Sequence, residues 1–504
     1  MNVEQFITSA DILAILPLLI VATGGSLLLV LDLWVPKQLK AITGWLAAGT
    51  LITALIVVIT QGPLTLPALG LTQTALTTTA FNNMVVIDGM AYAFTLLSLL
   101  TGLAGILLAL AAFPRFKFDR WVGEYYVLML FTVCGMLLLT TANDLIVIFI
   151  GIELLSIPLY ILSGFFRPRV ESEESAMKYF LLGAFSSGFL VYGIALTYGA
   201  TYTTSLPGIA TIINAVLNVT GELNVLLLMG LGLMLVGLGF KVAAVPFHMW
   251  TPDVYEGAPT IVTAFMSVGA KTAGFAALLR VFYTAFPAAF TAWAPIMAVL
   301  AALTMLVGNI FAVAQVNVKR MLAYSAIAHA GYILMAFVAG GAFASQAASS
   351  AFTYLVAYAI ANLGAWAVVS VLETAPGEGN RIDDFCGLGQ RRPGLALAMT
   401  IFMLSLTGIP LTVGFLGKFV VFTVAIQAGY LWLAIIGVLT SVISAWYYLR
   451  IIINMWMRPG PTTALDAPGG MRFTALTTGL LALLLGIIPG LILNFADLVM
   501  AGMF

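Results

Sequence analysis

Fourteen stretches of this chain run for about 20 residues or more with very little charge, and that pattern leaves few folds open. Hydrocarbon offers no water to backbone N–H and C=O groups. A segment that crosses it must satisfy those groups as a helix or as part of a closed barrel. Barrel strands are shorter, roughly 9–11 residues, and alternate in polarity, so helices are expected. The runs lie near 11–33, 41–60, 90–113, 124–141, 144–166, 176–199, 224–250, 258–286, 290–314, 321–341, 348–373, 394–428, 430–455 and 472–499, numbered here as spans 1 to 14. Composition agrees: 62% of residues are hydrophobic and 8% are charged, against about 25% charged in soluble domains. The predicted fold is an all-α integral membrane protein of about fourteen transmembrane helices, with the lipid bilayer as its main surroundings.

Charge outside the spans sets the orientation. Of the 20 lysines and arginines, sixteen fall in or beside the connections after spans 1, 3, 5, 9, 11 and 13, among them Lys37, Lys117, Arg120, Lys178 and Lys319. The connections on the other side hold none. Positive charge stays on the cytoplasmic side, so both termini are expected outside. The opening stretch, MNVEQFITSADILAILPLLIV, has no basic n-region and no clear cleavage site, and its apolar run is expected to remain as a span. The longest aqueous connections are predicted at 61–89, 200–223 and 374–393.

Several functions are excluded early. The net charge is zero and no basic patch suggests nucleic acid. The two cysteines, Cys134 and Cys386, are far apart and form no CxxC or CxxCH, so iron–sulfur and c-type haem sites are excluded and both read as packing residues. The glycines at 230 and 232 lie in a span with no strand before them and make no dinucleotide fingerprint. No redox equipment and no metal site is expected in this chain.

The informative residues are ionisable groups inside the spans: Glu153, Lys241, Lys271, Arg280 and Lys418. A charge at the bilayer centre costs at least about 2.5–3.5 kcal/mol on insertion scales. Such groups face a partner, a bundle interior or water. Arg280 is late in its span and is expected to snorkel to the outer interface. The lysines are too deep for that. Burial disfavours an ammonium and a nearby carboxylate restores it, so a Lys241–Glu153 pair would be a site whose proton occupancy depends on partner distance. His329, in KRMLAYSAIAHAGYIL, has the right chemistry for a relay, with a packing histidine as the alternative. His248, at the cytoplasmic end of span 7, and Lys178, at the cytoplasmic start of span 6, are weaker candidates.

Two long spans carry breaks beside their lysines. Span 7 reads GLGFKVAAVPFHMW, with Pro246 after Lys241; span 12 reads GIPLTVGFLGKFVVF, with Pro410 before Lys418. Proline removes a helix bond, and unwound backbone at membrane depth is tolerated where it lines protein or water. Broken helices at corresponding places in two halves point to inverted repeats. Spans 4–8 and 9–13 are five helices each, and an odd number inverts the second copy. The predicted units are residues 1–123 with spans 1–3, 124–286 with the first repeat, 287–455 with the second, and 456–504 with span 14. The repeat is weak at residue level: span 10 has Tyr324 and His329 but no acid matching Glu153.

Residues 239–282, GFKVAAVPFHMWTPDVYEGAPTIVTAFMSVGAKTAGFAALLRVF, resemble the antiporter-like membrane subunits of respiratory complex I, the proton-pumping NADH:quinone oxidoreductase. The wording PDVYEGAP, SVGAKTAGFAALLR, VKRMLAYSAIAHAGY and GFLGKFVVF is similar to that of the N subunits (subunit 2 in some organisms). Subunits L and M and the antiporter relatives tend to read PDAHTEAP, and M usually has glutamate where Lys418 stands. The resemblance implies a proton path with Glu153 and Lys241 as partners, Lys271 as the connecting lysine and Lys418 leading to the outer exit. Lys178 and His329 would be further polar positions. It implies no cofactor in this chain, with NADH, FMN, iron–sulfur clusters and the quinone in other subunits. Partners would be the membrane-arm subunits A, J and K on one side and M on the other, in a bacterial or organellar energy-coupling membrane, most often the bacterial inner membrane. Two other readings are a subunit of an Mrp-type Na+/H+ antiporter or membrane-bound hydrogenase, and a membrane scaffold without transport.

Overall fold

The apolar runs close their own backbone bonds as helices, and the breaks fall where proline and glycine interrupt them. The computed structural model describes residues 8–36, 39–62, 77–116, 121–375, 377–461 and 465–503. Lys37, Lys117 and Arg120, the first seven residues of the opening stretch, and 63–76 of the first long connection lie outside the described residues. Twelve described helices are long and apolar enough to cross a membrane. They are Ala41–Gln61, Gly89–Arg115, Val122–Thr141, Leu145–Ser163, Val170–Thr201, Val225–Val242, Thr260–Ala285, Pro287–Val313, Val318–Val338, Gly341–Leu372, Leu431–Met457 and Gly469–Ile487, at the places of spans 2–11, 13 and 14. The shorter Leu16–Leu31 supplies span 1, and Pro393–Thr407 with Val413–Gln427 supplies span 12 in two pieces. The chain is an all-α membrane protein, as its runs predict.

Spans 8, 10 and 11 form the centre and are buried along almost their whole lengths, whereas only about a third of span 6 and less of span 14 is buried. The two broken spans end alike. Val225–Val242 stops at Ala243 with φ 62°, and Pro393–Thr407 stops at Gly408 with φ 92°. Left-handed backbone at a helix end is usual for glycine and strained for alanine. A Cβ at Gly408 would also lie 2.8 Å from Lys418 Cδ, so that side chain would have to shift. After its break, span 7 continues only as the short helix Trp250–Gly257 at the basic edge of the molecule. The Val245 N–H in the break donates to Thr304 Oγ1 at 2.9 Å, which pins the unwound segment to span 9.

Three expectations change. Arg280 does not snorkel: it is buried and forms a two-pronged pair with Asp88 at 2.5 and 2.6 Å. Asp88 caps Gly89–Arg115 by accepting from Ala91 N–H, so a fixed helix end supplies a counter-charge that the residues around Arg280 in sequence gave no sign of. The connection at 200–223 is no plain loop. It holds the helix Leu206–Thr220, whose Leu206, Ile209 and Ile213 are buried. Span 14 is two helices, Gly469–Ile487 and Gly490–Met500, because Pro489 interrupts it. On the same side, the strands Thr78–Ala80 and Val85–Ile87 pair as a small hairpin.

Candidate functional site

Span 5 brings Glu153 and Ser156 onto one face, since side chains three apart on a helix are neighbours. Glu153 is half-buried and accepts a short hydrogen bond from Ser187 Oγ of span 6. Lys241 is buried, and its ammonium donates a short hydrogen bond to Ser156 Oγ, while Ser156 Oγ donates to the Ile152 carbonyl. Three rings surround that ammonium: those of Tyr160, Tyr179 and Phe240, at 5.6, 5.8 and 5.8 Å. Trp250 closes the floor, stacked on Tyr179 at 4.5 Å and donating to the Phe240 carbonyl at 3.0 Å. The Tyr179 hydroxyl is buried beside it without a protein partner. Lys241 and Glu153 therefore share a neighbourhood but make no direct ion pair in this conformation.

Lys271, buried on span 8, donates to the Val242 carbonyl at 3.1 Å and the Ala326 carbonyl at 2.8 Å. Val242 is the last residue of the broken helix, and a helix end with free carbonyls is a favourable place for a cation. Ala326 lies one turn before His329 on span 10, so Lys271 touches both the Lys241 helix and the His329 helix. Four residues before it, Ser267 accepts from Asn362 Nδ2 at 2.7 Å, tying span 8 to span 11.

His329 is held at both ring nitrogens, by Tyr354 Oη at 2.8 Å and Tyr448 Oη at 3.2 Å. A neutral imidazole donates from one nitrogen and accepts at the other, so this arrangement passes hydrogen-bond direction across the ring. Tyr448 Oη also meets Ser325 Oγ. Lys418 completes the row. Its ammonium donates to the Thr407 carbonyl at 2.8 Å and Ser441 Oγ at 3.0 Å, and stands 4.6 Å over the Tyr332 ring. Ser441 Oγ donates to Tyr332 Oη, 3.2 Å away, and Tyr332 Oη lies 3.0 Å from Thr440 Oγ1.

The other candidates lie apart. Lys178 is at the basic edge, paired with Glu174 at 2.6 Å and Asp253 at 2.7 Å, and is substantially exposed. Asp253 also takes Arg320 at 2.8 Å, and Arg320 reaches Glu256 at 2.8 Å. His248 sits in the turn after the span 7 break, half-buried, with Nδ1 lacking a partner. Tyr324 stacks on Phe311, away from the row. The cysteines differ: Cys134 is buried and Cys386 half-buried. Among the described residues, no group of three His, Cys, Asp or Glu side chains could hold a metal ion. The residues that sequence reasoning missed are neutral: Ser156, Ser187, Tyr354, Tyr448, Ser441 and Tyr332. Only their spacing one or two helical turns from a charged residue, or their place on a facing span, could have marked them.

A row of buried lysines and one buried histidine with a half-buried glutamate, strung past two broken helices, defines a class of ion-translocating membrane subunit. The family described as NADH:quinone oxidoreductase/Mrp antiporter, transmembrane, matches residues 142–444, which contain the whole row. The chain is 46% identical over 501 residues to the NADH-quinone oxidoreductase subunit N of Trichlorobacter lovleyi, covering 98% of each. It is 47% identical over 464 residues to that of Chloroflexus aggregans, covering 90% of this chain and 91% of the other. The chain belongs to the NADH-quinone oxidoreductase subunit N family. A chain in respiratory complex I from Thermus thermophilus with bound aureothin superposes with a TM-score of 0.78 at 35% identity, over 95% of this chain and 99% of that one. A chain of the Mrp complex from a Dietzia strain has a TM-score of 0.81 at 22% identity, which shows a shared fold alone.

Proposed function

We propose that Glu153, Lys241, Lys271, His329 and Lys418 carry protons and charge through this membrane-arm subunit of an NADH-quinone oxidoreductase, driven by quinone reduction elsewhere in the complex. One observation carries the assignment. Among the described residues, no buried ammonium of the row is in an ion pair; each is held by hydroxyls, carbonyls or aromatic rings. A cation held by neutral acceptors can lose its proton without stranding a buried carboxylate. Arg280 is the contrast, locked to Asp88 and built to stay charged. The test is proton pumping alongside quinone reductase activity in membranes carrying Lys241→Ala, Lys271→Ala or Lys418→Ala. Each should assemble and pump poorly, whereas Arg280→Met should fail at assembly. Three lysine variants that pump as the parent does would end the assignment.

In this reading NADH, FMN, iron–sulfur clusters and the quinone site belong to other subunits, and Lys178 and His248 lie apart from the row, on its cytoplasmic side. Subunits A, J and K flank one side and M the other. Residues 124–286 and 287–455 act as inverted units, with 1–123 and 456–504 packed around them. The basic edge faces the cytoplasm of a bacterial inner membrane and the termini face outward. Lys319 is fully buried, its ammonium on the Ala258 carbonyl at 2.7 Å, so it is a poor labelling site. A cysteine at the exposed Val316 should react with impermeant label only from inside, and one at the exposed Tyr202 only from outside. The reverse pattern would overturn the orientation.

A further inference from the structure

We propose that Ser156 is the relay through which a proton passes between Lys241 and Glu153, with Ser187 as the residue that positions the Glu153 carboxylate. This rests on the proton-carrying reading above.

The two charged residues do not touch. Ser156, one helical turn from Glu153, is fully buried, and its hydroxyl is the group that the Lys241 ammonium meets. A serine in a helix commonly turns its hydroxyl back to the carbonyl four residues earlier, and Ser156 does so at Ile152. A serine with only that role would need no ammonium on its oxygen. Here the oxygen accepts from Lys241 while its own proton is held by a carbonyl that cannot take it. A hydroxyl can accept and donate at once, which fits it for transfer in both directions.

Glu153 is one turn away on the same helix and the same face. Ser187 Oγ already donates to Glu153 Oε1, so Oε2 remains for a second donor. Rotation of the Ser156 O–H about the Cβ–Oγ bond, from the Ile152 carbonyl toward Glu153, leaves Oγ on the Lys241 ammonium and completes the line. Lys241 Nζ then gives one proton to Ser156 Oγ as Ser156 gives its own to the carboxylate. The products are a neutral amine, an unchanged serine and a neutral carboxylic acid; the reverse step restores the charges. The rotation separates a stored proton from a transferred one, and a direct ion pair would lack that separation.

The test uses the assembled complex in membranes, with pumping, quinone reductase activity and subunit content measured together. Ser156→Ala should assemble and lower pumping roughly 10²-fold, the low end for a positioned proton-transfer group. Ser156→Thr keeps a hydroxyl on the same helix face and should restore most of it. Ser187→Ala should lower pumping less, with rescue by Ser187→Thr. If Ser156→Ala does not assemble, Ser156→Cys carries the test, since it keeps the volume and offers a poor acceptor; it should pump as weakly as Ser156→Ala is expected to. Parent-like pumping in Ser156→Ala or Ser156→Cys, or no rescue by threonine, overturns the relay. Lys241→Ala run in parallel separates the two levels. If it pumps poorly while Ser156→Ala pumps normally, only the relay falls; if it pumps normally, the wider reading falls with it.

Discussion

Lys241 and Lys418 sit beside equivalent breaks and are balanced in different ways. Lys241 precedes its break and has a carboxylate one helical turn from the serine it touches. Lys418 follows its break, caps the Thr407 carbonyl that the break exposes, and rests on the Tyr332 ring. In the first unit that capping position is taken by Lys271 from another helix, at Val242. The first unit thus has two cations and an acid around one break. The second has one cation, several hydroxyls and a histidine. A unit with an acid can hold a proton as a neutral pair. Under the proton-carrying proposal, the first arrangement suits storage of a proton and the second suits its transfer.

The largest effect that would sharpen this contrast is loss of the acid. Glu153→Gln should lower pumping by about 10²-fold, as for other positioned proton-transfer groups, and Glu153→Asp by less. Combined with Lys241→Ala, it should be hardly worse than the worse single variant, because residues acting as one unit are not additive. His329→Gln keeps a donor and an acceptor for Tyr354 and Tyr448 and should cost only about tenfold. Pumping rates and proton-to-electron ratios in membranes check all three. Equal losses from Glu153→Gln and His329→Gln would erase the distinction between storage and transfer.

The charged members of the row were legible because hydrocarbon makes every buried charge conspicuous. The span positions were legible for the same reason, and so was the break at Pro246, because proline is incompatible with helix continuation. What stayed hidden was partner choice. Arg280 looked like a snorkelling residue, yet Asp88, nearly two hundred positions away, reaches it through the packing of spans 3 and 8. Ser156 and Ser187 looked like ordinary small residues of membrane helices, and their partners depend on which face of a neighbouring helix they meet. Tyr448 and Tyr354 converge on His329 from spans 13 and 11, a meeting that no single-helix periodicity encodes.

A smaller effect tests whether the Tyr332 ring serves Lys418 in place of a carboxylate. A desolvated cation–π contact is worth about 2 kcal/mol. Tyr332→Leu removes both ring and hydroxyl and should weaken the second unit by that order, seen as a lower melting temperature of the purified complex together with slower pumping. Tyr332→Phe keeps the ring and loses the hydroxyl that Ser441 donates to, so its loss should be nearer 1 kcal/mol. If phenylalanine is as poor as leucine, the hydroxyl is what Lys418 depends on and the proposed balance by the ring is wrong.

The smallest effect lies at the basic edge, where Lys178 is charged but not enclosed. Its pairs with Glu174 and Asp253 are substantially exposed, and such pairs contribute about 0.2–1 kcal/mol. Lys178→Ala should therefore change stability by no more than that, and pumping far less than Lys241→Ala does. Asp253 gives the pH dependence. Burial pushes its carboxyl up, but the hydrogen bonds from Lys178 and Arg320 outweigh burial and hold it below its ordinary 3.8. A depressed carboxyl stabilises the fold above its unfolded value and loses that contribution as pH falls through the lower folded one. The difference in melting temperature between parent and Lys178→Ala should accordingly be flat from about pH 8 to 5 and shrink only near and below about pH 4, where unfolded aspartate titrates. A difference that instead changes between pH 6 and 8 would mean that Lys178 answers to a group titrating near neutrality. Lys178 would then belong with the proton-carrying row, and the contrast between enclosed and edge lysines would have to be redrawn.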